Sequence, residues 1–590
     1  MTPGCCGKFF HQDCMDQVIS SGGRTCPHCI QPLPARLLNS VPIVPGPMIQ
    51  QQVPPQIRQQ AMPSRAFRPP SDSMHSFTKS KAEEDLLEVE SSDVIKKVPD
   101  GDATPSIVTI SSTPEKREIS LAAEANFYIN VNLAAATVAS AAGARVPMDI
   151  VCVLDNSGSM QGAKIRSLLL AMEFVRSQLG PNDRLSVVTF NSSASVTHGL
   201  FRMNEDKKLR SETLCNSIVA DGGTDIYSGM VSASEILDSR QTSNKLSCIF
   251  LLTDGQDKSR VTEKKSLAAT MKAKGHSLFT FGFGADHDAA QLQMIANAAE
   301  GQFIYIEADD MVTDAFGGAI GGQQGVVATN VEATIALPEL ATQAGVLLLR
   351  ATAGRYQTRS NTDGTISVLF SNLFSGEQRD VLCVVSIPAT ATELSSYPLL
   401  NASAVFTGLN GERIHAIANH TSTTLATSSA ESAQSTESAQ STVSTCVVGR
   451  SSGPSSDINI IVDAQKNRSQ TLEALSNAMV AADRGEFEQS NALLRSCLAA
   501  IVTSPSYASK SMQVMSSVED LNEAIQKTST ASEYRRMGGQ AAMCEQMNNI
   551  SGQRSAYSKA SKKCVAYQID SSSAMQSSAG AYKATKKGFF

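Results

Sequence analysis

The chain has 590 residues, a formal net charge of -6 and an apolar fraction of 42%. That length exceeds what a single core holds and predicts about three or four units. A slightly acidic chain lacks the basic field of a general nucleic-acid or membrane-surface binder, and no apolar run approaches the roughly 18–20 residues of a membrane span.

Five of the 13 cysteines (Cys5, Cys6, Cys14, Cys26 and Cys29) fall within the first 29 residues. In a reducing compartment such a cluster reads as a metal site, not a disulfide framework. Cysteines and a histidine stand where a secretory leader carries its apolar run, which predicts a cytoplasmic or nuclear protein. The stretch CCGKFFHQDCMDQVISSGGRTCPHC contains H-x2-C, eleven further residues and C-x2-C. Zn2+ takes four N/S ligands tetrahedrally, and pairs two residues apart present both ligands from one turn. The segment 1–34 resembles the second half of a RING-type zinc finger. The resemblance implies zinc on His11, Cys14, Cys26 and Cys29, with Cys5 and Cys6 upstream and His28 a bystander. The first C-x2-C pair of that family is absent. Lys8 stands where many such fingers have a histidine, and Ile30 follows the last cysteine where active ligases often carry a cation. The segment is therefore expected to be truncated relative to the family, and a degenerate zinc knuckle without ligase activity is the other reading.

Residues 35–112, rich in Pro, Gln and Ser, lack the apolar periodicity that offsets ordering entropy and read as a disordered linker. Within 113–147, EISLAAEANFYINVNL (118–133) alternates in the strand period and is assigned to a later β module.

From Met148 to about Ile320, strand-like and helix-like segments alternate. The strands are MDIVCVL (148–154), RLSVVTF (184–190), SCIFLLT (247–253), HSLFTFGFG (276–284) and QFIYIE (302–307), with helices such as AKIRSLLLAMEFVRSQL (163–179) between them. Near-continuous apolar strands imply cover on both faces, hence a doubly wound, Rossmann-like α/β domain over 148–320. The first strand runs into LDNSGSM, which puts Asp155, Ser157 and Ser159 at alternate positions just past its carboxyl end. DGGTDI places Thr224 after a glycine pair, and IFLLTDG ends a buried strand at Asp254. These five oxygen side chains, delivered to one crevice, suit a hard divalent cation. The pattern D-x-S-x-S, then T, then D resembles the metal-ion-dependent adhesion site (MIDAS) of a von Willebrand factor A (vWA) domain. That resemblance implies Mg2+ (or Mn2+) held by Asp155, Ser157, Ser159, Thr224 and Asp254, with a coordination position left for an acidic side chain of a protein partner. A serine-hydrolase elbow fails because the first glycine of G-x-S-x-G is missing.

Short β runs over 321–422 predict a β-sandwich-like module, which could also take in the strands before Leu133 with the α/β domain inserted. Residues 423–456, with the tandem ESAQST, read as a Ser/Thr-rich low-complexity linker. Residues 457–565 read as helical, with a hairpin turn at Asp483-Arg484-Gly485, and 566–590 as a flexible tail.

This order of segments resembles the plant and protist RING–vWA ubiquitin ligases of the wavy-growth type, whose C-terminal region is called Vwaint; GQRSAY (552–557) is similar to its end. The resemblance implies a RING-type E3 ubiquitin-protein ligase, or its substrate-binding subunit, that recruits a ubiquitin-conjugating E2 enzyme and holds substrate on the vWA domain. The alternative is a non-enzymatic adhesion or scaffold protein that binds partner carboxylates through its MIDAS metal.

Overall fold

The computed structural model describes residues 107–137, 146–409, 411–418, 442–453, 457–536, 538–553, 575, 577–579 and 581–583. The cysteine segment and most of the expected linker lie outside the described residues. Three strands come first: β1 (Val108–Pro114), β2 (Glu118–Ser120) and β3 (Glu124–Ala135). β1 and β3 pair antiparallel, from Val108 opposite Ala135 to Pro114 opposite Ile129. β1 begins inside the stretch expected to be linker to residue 112. It is ordered there because Val108 and Ile110 bury in a core and Ser112 Oγ meets Ser444 Oγ at 2.9 Å.

The α/β domain follows. Its elements are β4 (Met148–Asp155), α1 (Ala163–Gln178), β5 (Arg184–Phe190), β6 (Ala194–Arg202), α2 (Glu205–Cys215), α3 (Ile226–Asp238), β7 (Leu246–Thr253), α4 (Val261–Ala273), β8 (His276–Phe283), α5 (Ala289–Ala298), β9 (Phe303–Ile306) and α6 (Val312–Gln324). They form a six-stranded sheet of order β6-β5-β4-β7-β8-β9, parallel except for the edge strand β6. Every residue of β4, β5 and β7 is buried. Leu168, Met172, Phe316 and Ile320 of α1 and α6 cover one face, while Met230, Met271 and Leu292 of α3, α4 and α5 cover the other. The strand order reverses at β4, whose neighbours are β5 on one side and β7 on the other. At such a switch point the chain leaves adjacent strands in opposite directions and opens a crevice beyond their carboxyl ends.

The second body is a β-sandwich of β10 (Val326–Ala336), β11 (Leu347–Thr352), β12 (Gln357–Ser360), β13 (Ile366–Phe374), β14 (Gln378–Ile387), β15 (Leu394–Gly408), β16 (Arg413–His415), β17 (Ile417–Ala418) and β18 (Val443–Ser451). One sheet runs β11-β14-β3-β1-β17 and the other β12-β13-β10-β15-β18-β2. Side chains such as Ile129, Val331, Phe370, Val385 and Leu400 fill the space between them. The α/β domain is thus inserted in the sandwich between β3 and β10. β18 differs from the linker expected over 423–456: it pairs antiparallel with β15 and parallel with β2. Its alternation points Ser444, Cys446, Val448 and Arg450 inward.

Four longer helices, α7 (Ile460–Asp483), α8 (Phe487–Val502), α9 (Met512–Lys527) and α10 (Gly539–Gly552), complete the fold. Gly485, at φ 84°, makes the left-handed turn between α7 and α8 that disfavours any residue with a Cβ. α10 lies along the open edge of the α/β sheet. The β9 amides of Phe303 and Tyr305 donate to Asn548 Oδ1 and Glu545 Oε1, each at 3.2 Å, so side chains satisfy what a further strand would otherwise pair. Of the segment expected as a flexible tail, residues 575, 577–579 and 581–583 are described, and some of them make contacts. The Tyr582 ring packs on Phe174 at 5.5 Å between centroids, and Lys583 Nζ meets Asp314 Oδ2 at 2.6 Å. Among the described residues, no helix is long and apolar enough to cross a membrane.

Candidate metal centre

β4 delivers Asp155 to the crevice fully buried, and β7 ends one residue before Asp254, which is 3% exposed. Past Asp155 the chain leaves the sheet through a short 3-10 turn, Gly158–Met160. Asp155 Oδ1 accepts from the Ser157 amide at 2.8 Å, fixing the start of the turn, while Asp155 Oδ2 accepts from the Thr253 hydroxyl. The turn brings Ser157 Oγ and Ser159 Oγ within 3.0 Å of each other. Ser159 Oγ donates to Asp254 Oδ1 at 2.6 Å. Four of the five oxygen residues expected from the sequence therefore form one continuous hydrogen-bonded chain across the mouth of β4 and β7.

Thr224 arrives from the loop before α3. That loop is tied to the serine turn by Gly158 N to Gly222 O at 3.1 Å, Asp221 N to Asn156 O at 2.8 Å and Gln161 Nε2 to Ala220 O at 3.2 Å. A Cβ added to Gly255 would fall 2.9 Å from Thr224 Oγ1, so this hydroxyl sits against the residue that follows Asp254. On the same loop Val219 is 72% exposed, an apolar rim beside the polar crevice.

Burial raises the Asp155 pKa above the ordinary carboxylate value, and the nearby Asp254 charge adds to it; hydrogen bonds from Ser157 and Thr253 pull the other way. A buried carboxylate with a second one close by is a place where a cation lowers the energy. The donor set, two carboxylates and three hydroxyls with no nitrogen or sulfur, fits a hard oxygen-preferring ion such as Mg2+ or Mn2+. Among the described residues, no group of three or more His, Cys, Asp or Glu side chains is placed to hold a metal ion; here two carboxylates are joined by hydroxyls. The zinc residues expected from the sequence (Cys5, Cys6, His11, Cys14, Cys26 and Cys29) lie outside the described residues.

Sequence reasoning missed two residues of the site. Thr253, the last residue of β7, reads as one more strand residue, yet its hydroxyl holds Asp155. Lys164 Nζ sits 2.5 Å from Asp254 Oδ2 and 5.7 Å from the centroid of the Phe283 ring. One signal was available: a lysine in the first turn of α1 stands at the positive end of a helix dipole, where cations are disfavoured unless an anion answers them.

Residues 149–317 match the family model described as von Willebrand factor type A domain. These residues form a vWA domain, with the mixed α/β Rossmann-like fold of that family. Among curated proteins the chain is similar to the E3 ubiquitin-protein ligase WAV3 of Arabidopsis thaliana, 28% identical over 265 residues, which is 44% of this chain and 34% of that protein. It is also similar to the inter-alpha-trypsin inhibitor heavy chain H4 of Homo sapiens, 31% identical over 160 residues, or 26% of this chain and 17% of that one. The matched region thus spans about a third or less of the length of these relatives. Among solved structures, the von Willebrand factor type A protein from Catenulispora acidiphila superposes with a TM-score of 0.52 at 16% identity, covering 75% of this chain and 98% of that one.

Proposed function

We propose that the crevice is a metal-ion-dependent adhesion site in which Asp155, Ser157, Ser159, Thr224 and Asp254 hold Mg2+ or Mn2+, and that the protein binds a partner there through an acidic side chain. The observation that carries this is the hydrogen-bonded chain from Asp155 through Ser157 and Ser159 to Asp254, with Thr224 against the next residue. Bound there, the cation would supply a Lewis-acidic position for a carboxylate oxygen. The protein's own residues do the rest: the two aspartates balance charge, the serine turn sets the spacing of the hydroxyls, and the Asp221–Thr224 loop closes the third side. Val219 offers an apolar contact to whatever flanks the partner's acidic residue.

On the whole-chain scale the reading is a RING-type E3 ubiquitin-protein ligase, or the substrate-binding part of one, acting in the cytoplasm or nucleus. The zinc segment would recruit an E2 enzyme, Zn2+ would be held by His11, Cys14, Cys26 and Cys29 with Cys5 and Cys6, and the vWA domain would hold the substrate. The similarity to the Arabidopsis ligase supports it.

Isothermal titration of MnCl2 into the full chain and into Asp155→Ala tests the site. The variant should keep its far-UV circular dichroism and lose affinity by more than the roughly 10–100-fold that removal of a merely supporting group costs; unchanged affinity would remove the ligand assignment. Autoubiquitylation with a panel of E2 enzymes, using this chain and a version extended upstream, tests the ligase part. Silence from the extended version would end it.

A further inference from the structure

The two oxygens of Asp254 have different partners. Oδ1 faces the serine turn and accepts from Ser159 Oγ at 2.6 Å; Oδ2 takes the ammonium of Lys164 at 2.5 Å. Lys164 is 31% exposed, so solvent can reach the ammonium, while Asp254 is sealed on its side of the pair. The face of Phe283 lies 5.7 Å from the same ammonium, a second attraction that keeps the cation at the crevice. Two other carboxylates nearby have cations of their own: Asp257 meets Lys264 at 2.8 Å and Asp225 meets Arg260 at 2.5 Å. Lys164 is thus the cation that answers Asp254, from the far side of the carboxylate and not from the serine side.

Resting on the metal-site reading above, we propose that Lys164 sets the charge of this site, weakening its hold on the divalent ion while making the ion-loaded site attract anions. The formal charges decide the direction. Asp155, Asp254 and Lys164 sum to about -1 without a divalent ion and +1 with it; without Lys164 the two sums are about -2 and 0. A site that ends at +1 draws a carboxylate partner, whereas a neutral site offers coordination alone. Lys164 accordingly spends metal affinity to gain ligand selectivity, and it acts as a specificity-determining residue that need not touch the metal.

The test uses the full chain with Mn2+ as metal probe and acetate as carboxylate probe. Mn2+ affinity comes from titration calorimetry, and acetate binding from the fall in water-proton relaxation enhancement of bound Mn2+. Lys164→Met should bind Mn2+ about tenfold more tightly and acetate about tenfold more weakly, a change on the order of one charge acting through a partly hydrated site. Lys164→Arg, which keeps the charge, should restore both toward wild type. Opposite shifts in the two constants, with recovery by Arg, would support the proposal. Equal values in Lys164→Met and wild type, or a loss of both affinities, would overturn it, the latter marking a structural lysine. Should the Met variant fail to fold, Lys164→Gln carries the same expectation. A wild-type chain that bound no Mn2+ would instead bring down the metal-site reading itself, a result distinct from the others.

Discussion

At Asp155 a carboxylate is driven into the end of a buried strand and held there by donors from Ser157 and Thr253. Its pKa in the folded chain lies above the ordinary carboxylate value, chiefly because burial penalises the charge. The linkage has a definite sign: the folded state binds this proton more tightly than the unfolded one. The residue's contribution is therefore fully present below the unfolded pKa and is lost as pH rises through the raised folded value. At neutral pH without metal, Asp155 destabilises the fold that carries it. Asp155→Asn keeps the shape and an oxygen acceptor, so it should melt at a higher temperature than wild type in EDTA at neutral pH. The gap should close toward roughly pH 3, below the unfolded pKa, where the carboxyl of either state is largely protonated. The same variant should lose the rise in melting temperature that Mn2+ gives wild type. Differential scanning calorimetry in EDTA and in MnCl2 measures both, and an Asn variant less stable than wild type in EDTA at neutral pH would contradict the account. The aspartates, Ser157, Ser159 and Thr224 were legible in the sequence because each follows a recognisable strand or glycine pair. Thr253 was not, because it looks like one more strand residue; Lys164 was marked only by its place in the first turn of α1 and otherwise reads as a solvated helix face.

Elements behind the site are as tightly constrained as the side chains in it. α3 crosses β4 and β5 just below Asp155, and it can do so only because position 229 is glycine. A Cβ there would lie 2.8 Å from Val153 Cγ1 and 3.0 Å from Phe190 Cδ1. Gly229→Ala gains helix propensity but must push α3 off the sheet, and overpacking of this kind costs roughly 1–3 kcal/mol. Urea unfolding should show a net loss of that order, and because α3 begins two residues after Thr224, Mn2+ affinity should fall with it. An Ala variant as stable as wild type would show that the sheet yields more easily than its packing implies. The central strands were readable almost to the residue, since full burial on both faces leaves no polar alternation to blur them. β6 was missed for the opposite reason: as an antiparallel edge strand, ASVTHGLFR is only half buried. β18 hid in Ser/Thr-rich sequence because part of what it buries is polar, with Ser444 paired to Ser112 across the sandwich.

Across the molecule, the α/β domain, the sandwich and the helical region, which the sequence separates into units, share contacts that it does not announce. α10 covers the β9 edge with Asn548 and Glu545, and its C-terminal carbonyls at Gly552 and Gln553 receive Arg379 of the sandwich at 2.7 and 2.6 Å. Arg379 is fully buried, paired with Glu377 at 2.6 Å and placed where a cation meets the negative end of a helix dipole. No periodicity in sequence announces such contacts, because they join residues more than 170 positions apart. They hold the α/β sheet at its far edge, away from the crevice beyond β4 and β7. Diffraction from crystals of the full chain grown with MnCl2, collected to show manganese anomalous scattering, tests the central claim most directly. The account predicts one strong anomalous peak in the crevice, ringed by oxygens of Asp155, Ser157, Ser159, Thr224 and Asp254. A well-ordered crevice with no peak, or a peak held by other residues, would contradict it.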